Sequence, residues 1–333
     1  MTLAELGEFG LIHRIAPNFE ISSSDYMGIG DDCAVLPQDA HRVWLVTTDL
    51  LIEDIHFLRE RISPEDLGHK SLAVNLSDIA AMGGRPTAAF LSVGLPKTIE
   101  VEWLDRFFSG IRDLAQATNC LLLGGDTTKS KQGVVINFTI LGNAWRRNLK
   151  YRSYAKPGDI IAVTGMLGDS GAGLQLLLNN ISVDDEPKRY LVDAHHRPAP
   201  HLAEGAWLAQ RTGVHAMLDV SDGIDSDLHR IMEASQIGAT VDLEALPLSD
   251  HMRTTCQAFS WNAHEIAVAG GEDYCLLCTI DPQKFARIAK EYQNTFNKPL
   301  YDIGVITDTN QLVYKQDKQT VQFTKHGFDH FTG

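Results

Sequence analysis

The chain has 333 residues, 44% hydrophobic and 22% charged, the balance of a soluble enzyme with two domains of ordinary size. A formal net charge of −14 excludes a basic nucleic-acid or anionic-membrane surface, although bound metal can still reverse the local field for an anionic substrate. No apolar run approaches the ~20 residues of a membrane span, Met1-Thr2-Leu3-Ala4-Glu5 is unlike a signal peptide, and five cysteines without framework spacing point to a reducing cytoplasm.

The segment Glu8–Ile15 reads as a short helix. Gly28-Ile29-Gly30-Asp31-Asp32 is a tight acidic turn that leads into a first strand, Ala34–Leu36. A second strand, Val43–Asp49, ends in the potential oxygen ligands Thr47, Thr48 and Asp49, and a loop carrying His56 follows. Ser63-Pro64-Glu65 opens a helix that runs to Met82 and stops at Gly83-Gly84. Leu72, Leu76, Ile79 and Ala80 form its apolar stripe, while Ser71, Asn75 and Asp78 make a polar row without partnering lysines, either ligands or a stripe against a neighbouring loop. Ala88–Pro96 is a strand, and an amphipathic helix from Thr98 presents Trp103, Phe107, Ile111 and Leu114. Cys120–Leu123 reads as a buried strand with Gly124-Gly125-Asp126-Thr127-Thr128 as its terminal turn, and Val134–Leu141 closes a first domain.

A basic linker, Lys150–Asp159, leads to the strand Ile160–Thr164 and an apolar helix through Leu178. The glycines at 165–173 lack true GxGxxG spacing, so small-residue helix packing replaces a dinucleotide loop. A helix and connector at 181–200, a helix at 203–212 and the strand Ala216–Val220 follow, the last feeding Ser221-Asp222-Gly223. Beyond the helix with Leu228, Ile231 and Met232 come the strand Thr240–Leu243, the apolar 266–269, Gly270-Gly271-Glu272-Asp273 and the strand Tyr274–Ile280. A helix at 282–292 and short strands at 302–306, 311–315 and 321–323 complete the chain. Cys275 and Cys278 look like half a zinc knuckle, but no second pair answers them, so they belong to the core.

Four times an acidic, glycine-rich turn adjoins an apolar strand: at 28–32, 124–126, 219–223 and 270–273. Carboxylates brought together repel unless a cation neutralises them, and Mg²⁺ is the natural cation for hard oxygens that also face phosphate. No Walker A element, protein-kinase catalytic loop, Gly-x-Ser-x-Gly elbow or zinc-ligand cluster is present. The residues therefore suit Mg²⁺-assisted phosphoryl transfer, a chemistry of positioning and electrostatics. A non-catalytic metal or nucleotide-binding protein is the rival reading; calcium storage lacks the ordered spacing of an EF-hand.

Taken together, Gly30-Asp31-Asp32, Thr47-Thr48-Asp49, Asn75–Gly83, Gly124–Thr128, Arg152-Ser153, Pro157-Gly158-Asp159, Ser221-Asp222-Gly223, Gly270–Tyr274 and Gly327–Phe331 resemble the thiamine-monophosphate kinases of the AIR-synthase-like (PurM-like) superfamily over nearly the whole chain. Sister families, aminoimidazole-ribotide synthase and selenophosphate synthetase among them, share several of these motifs. The resemblance implies an α+β fold of two α/β domains, residues 1–149 and 150–333. The N-terminal mixed sheet would dimerise as a β-barrel, and the C-terminal mixed sheet would be packed by helices. It implies direct transfer of the γ-phosphoryl of ATP to thiamine monophosphate in a homodimer, with no nucleic-acid or membrane partner. By motif position Asp32, Thr47, Thr48, Asp49, Asp78, Asp126, Asp219 and Asp222 become Mg²⁺ ligands, Asp49, Asp126 and Asp222 being the catalytic carboxylates. Gly125, Asp126, Arg152 and Ser221 would meet the nucleotide, and His56, Glu272 and Phe328 the thiamine phosphate. Asp31 would support the turn beside the ligand Asp32.

Overall fold

The structure, a computed structural model, describes residues 2–19, 21, 23–323, 327, 328, 330 and 331. Its first unit runs α1 (Leu3–Ile15), β1 (Ala34–Pro37), β2 (Arg42–Ile52), α2 (Pro64–Ala81), β3 (Arg85–Leu95), α3 (Val101–Thr118), β4 (Leu121–Lys129) and β5 (Val135–Trp145). The strands form one mixed sheet in the order β1-β2-β5-β3-β4, antiparallel except for the β3–β4 pair that α3 connects. Alternation along β2 puts Val43, Leu45, Thr47 and Leu51 on the covered face and turns Thr48 and Leu50 outward.

α2 starts where the sequence signals it. The Ser63 hydroxyl accepts the Asp66 N–H, Pro64 fills the first turn, and Glu65 and Asp66 face the helix dipole. The helix is buried on nearly every side because it packs on β2 and β5 below, α3 beside it and elements of the second unit above.

β4 departs from the sequence reading. The strand continues through Gly124-Gly125-Asp126 to Lys129, and all nine of its residues are exposed. Leu121, Leu122 and Leu123 look like core residues but lie on the open edge of the sheet, where no element among the described residues covers them. Gly125 is required within the strand: a Cβ there would sit 1.7 Å from the Leu91 carbonyl oxygen.

The second unit runs β6 (Ile160–Val163), α4 (Asp169–Leu178), α5 (Glu186–His196), α6 (Leu202–Ala209), β7 (Val214–Asp219), α7 (Ile224–Ser235), β8 (Gly238–Asp242), α8 (Asp250–Phe259), α9 (Ala263–Ala269), β9 (Leu276–Ile280), α10 (Pro282–Phe296), β10 (Tyr301–Thr307), β11 (Leu312–Gln316) and β12 (Gln319–Val321). Its seven-stranded mixed sheet has the order β12-β11-β8-β10-β6-β9-β7. Sequence reading left α8 unassigned and did not make the apolar 266–269 a helix; α8 is capped by Ser249, and 266–269 ends α9. Cys275 and Cys278 are buried in the core, with the Cys278 thiol 3.5 Å from the Ala162 carbonyl. Each unit has its own apolar core, and α2 touches β7, α5 and α6 across the boundary. Among the described residues no helix is long and apolar enough to cross a membrane.

Candidate active site

The boundary between the units gathers carboxylates from both. Asp32 leaves the glycine turn before β1, Asp78 sits in the last turn of α2, and Asp219 ends β7. One oxygen of each lies within 4.8 Å of the others. Burial, then the neighbouring charges of Asp49, Asp219 and Asp32, push the Asp78 carboxyl well above its ordinary range. Burial and then Asp32 raise Asp219 to about 7, against a hydrogen bond from Ser77 and the charge of Arg152. Asp49, on the covered face of β2, is raised to about 6 by burial and by Asp222. The Thr47 hydroxyl donates to Asp78, and the Asn75 side chain accepts the Asp49 N–H at 3.0 Å.

Arg152 is the cation on this acidic side. Its guanidinium pairs with Asp32, and its backbone N–H reaches Asp31 at 3.1 Å. Asp31 also accepts the Asp32 N–H at 3.1 Å, so it holds the turn, the supporting place expected for it. The other Asp32 oxygen, Oδ2, is buried without a hydrogen-bond partner. An orphaned carboxylate oxygen beside two more carboxylates is a donor set that fits Mg²⁺: Asp32, Asp78 and Asp219 would hold it, with Thr47 and Asp49 adjoining.

Ser221-Asp222 lies on the loop from β7 to α7. Arg230 pairs with Asp222 and approaches Asp227 at 3.6 Å, while its guanidinium covers the Phe9 ring at 4.3 Å. That contact brings Gly7-Glu8-Phe9 of α1 to the site, where burial first and then the charge of Glu8 raise Asp222. The 270–273 turn docks here as well, with the Glu272 N–H on the Ser221 carbonyl at 2.7 Å.

The His56 Nδ1 accepts the Ile52 N–H at 3.0 Å, and burial followed by His330 lowers its pKa to about 4. Its ring stands 4.9 Å from that of His330, which in turn meets Phe328 edge-on at 4.9 Å. The Phe328 N–H binds the Asp222 carbonyl at 3.1 Å, which ties Phe328 to the loop after β7; Asp329 of that motif is outside the described residues.

Three expected residues do not join the cluster within one chain. Thr48 points to the open face of the sheet and hydrogen-bonds to Phe138 and Asn137. Gly125 and Asp126 lie on β4, opposite Leu91 and Ser92. Three strand spacings separate them from β2, roughly 14 Å. They line a cavity of about 430 Å³ with Leu91, Val93 and Phe108. Residues that sequence reasoning did not single out are Ser77, Arg230, His195 and Lys70; each is defined by a partner distant in sequence or, for Arg230, by a loop whose shape the sequence does not show.

The two units each match a family model of the AIR-synthase-related proteins. Residues 30–144 match the family model described as AIR synthase related protein, N-terminal domain, and residues 156–315 match the corresponding C-terminal domain. The thiamine-monophosphate kinase of Escherichia coli (strain K12) is 39% identical over 334 residues, spanning 98% of each chain. That of Bacillus subtilis (strain 168) is 34% identical, spanning 98% of this chain and all of its own. The solved structure of AaThiL complexed with AMPPCP and TMP superposes with a TM-score of 0.87 at 34% identity, covering 99% of both chains. The chain belongs to the thiamine-monophosphate kinase family.

Proposed function

We propose that the protein transfers the γ-phosphoryl group of ATP directly to thiamine monophosphate, giving thiamine diphosphate and ADP. The observation that carries this reading is the Asp32–Asp78–Asp219 cluster with its orphaned Asp32 oxygen; His56, Glu272 and Phe328 are assigned to the thiamine phosphate by motif position. Mg²⁺ bound there supplies charge neutralisation for the phosphates and for the charge that develops during transfer. Asp49 and Asp222 adjoin the cluster as further oxygen donors, and Arg152 and Ser221 lie beside it for the nucleotide. The acceptor phosphate is anionic near neutral pH and needs no protein nucleophile.

The same reading divides the chain at 149/150 and makes it a homodimer. β4 leaves a row of leucines exposed, 61% for Leu121 and Leu123, with Phe90 on the adjoining strand 42% exposed. An open apolar edge strand of this kind invites pairing. In such a dimer, Gly125 and Asp126 serve the nucleotide and metal side of the partner subunit's cluster, which removes the distance that separates them from Asp49 in one chain.

The test is ADP release followed with ATP, Mg²⁺ and thiamine monophosphate supplied together or one omitted. Release should require all three, with thiamine diphosphate identified by mass. ATP that binds but is not consumed would favour a non-catalytic nucleotide-binding protein. Consumption with a different phosphorylated acceptor would favour a sister enzyme.

A further inference from the structure

Lys70 is the most deeply buried cation of the chain, 1% exposed in the second turn of α2. A lysine is rarely buried to this degree without partners. All its recorded partners come from the other unit. Its Nζ lies 3.0 Å from Glu272 Oε1 and 3.1 Å from Oε2, and 3.3 Å from His195 Nε2. An ammonium only donates, so His195 Nε2 must accept and its proton sits on Nδ1. That Nδ1–H faces Glu272 Oε2 at 3.3 Å and the Ser170 hydroxyl at 3.0 Å. One lysine therefore pairs with the carboxylate directly and with a histidine whose Nδ1–H, partnered by the Ser170 hydroxyl, stands beside the same carboxylate.

Glu272 is held at its other end too. Its backbone has a φ of +65°, a left-handed conformation uncommon for a side-chain-bearing residue, and its N–H is bound to Ser221. The side chain keeps 25% exposure while the Lys70 side chain has 1%, so the cation stands behind a carboxylate that stays partly open to solvent. A carboxylate aimed in this way suits the cationic, amine-bearing rings of thiamine.

We propose that Lys70 is a positioning residue for the acceptor: with His195 it fixes Glu272 across the boundary between the units, and the fixed carboxylate then holds thiamine monophosphate. This rests on the kinase reading above and deepens it. Lys70 does not touch the reacting phosphates, so its loss should appear in acceptor binding before it appears in turnover.

The experiment measures ADP release for wild type, Lys70→Met, Glu272→Gln and the double variant. Lys70→Met should raise KM for thiamine monophosphate more than tenfold while KM for ATP stays within about twofold and kcat falls far less than KM rises. In the Glu272→Gln background, the same change should add little, because both act through one carboxylate. Fully additive effects, or an unchanged acceptor KM in a folded Lys70→Met enzyme, would overturn the proposal and leave the kinase reading standing. A wild type without acceptor-dependent ADP release would overturn both. If Lys70→Met does not fold, His195→Asn and His195→Leu carry the test. Asparagine can still donate to Glu272, so its acceptor KM should lie at least fivefold below that of leucine; equal values would refute the role.

Discussion

Asp78 shows how a single residue sets the chemistry of the site. It is the carboxylate that faces the most like charges, those of Asp49, Asp219 and Asp32, and burial is the largest cause of its raised pKa. Without metal its charge is a cost to the fold, one that a bound cation would offset. Asp78→Asn keeps the shape and removes the charge. We expect the variant to melt at or above wild type in chelator, to gain less than wild type when Mg²⁺ is added, and to lose more than tenfold in turnover. Calorimetry in chelator and in Mg²⁺ checks the first two. A variant that melts well below wild type in chelator would show that the hydrogen bond from Thr47 outweighs the repulsion. The cluster was legible in the sequence because each member adjoins a glycine turn or belongs to the polar row of α2 that lacks partnering lysines. That row then divides by depth: Asp78 enters the cluster, Asn75 braces the backbone of β2, and Ser71 bonds back to Leu67 of its own helix. Ser77 and Lys70 were not legible, because a serine or lysine on a helix carries no local mark of a partner 142 or 202 residues away.

At the scale of elements, the position of α2 depends on α3. The two helices cross through a pair of glycines. A Cβ at Gly68 would meet the Phe107 carbonyl oxygen at 2.1 Å, and one at Gly110 would meet that of Glu65 at 1.9 Å. In isolation, Gly110→Ala would stabilise α3 by about 1 kcal/mol through helix propensity. Here the added methyl meets fixed backbone, and overpacking of this kind costs about 1–3 kcal/mol. The clash should win. We expect Gly110→Ala to lower the melting temperature and, by shifting α2, to lower turnover as well; an unchanged or raised melting temperature would show that the helices separate freely. Helix starts such as Ser63-Pro64-Glu65 were readable because capping is local chemistry. β4 was misread because an apolar run reports a preference for burial, while sheet order decides which strand stands at the edge. α8 was passed over although Met252, Thr255 and Cys256 make its buried face, since its remaining residues are polar.

At the scale of the molecule, the two misplaced features of the sequence reading have one explanation. The leucines of β4 are exposed, and Gly125 and Asp126 are carried on that same strand, three spacings from the cluster they were expected to join. A second copy packed on the open face would cover the leucines and bring its own Asp126 toward this chain's cluster. Two inactive variants can decide between this arrangement and a site complete within one chain. Asp78→Asn disables the cluster of its own subunit, and Asp126→Asn disables the contribution its subunit makes to the partner. In a mixed dimer, one site then combines an intact cluster with an intact Asp126, while the other carries both defects. After equimolar mixing under conditions that exchange subunits, half of the dimers are mixed and half of their sites are whole, so activity should recover to about one quarter of wild type. If each site instead lies within a single chain, every site in the mixture keeps one defect and activity stays at the level of the separate variants. Leu123→Lys, placed among the leucines that a second copy would cover, should abolish the recovery by opposing association, and light scattering should then record a monomer. Recovery that survives in a monomer, or a dimer whose mixed form shows no recovery, would remove Asp126 from the shared site.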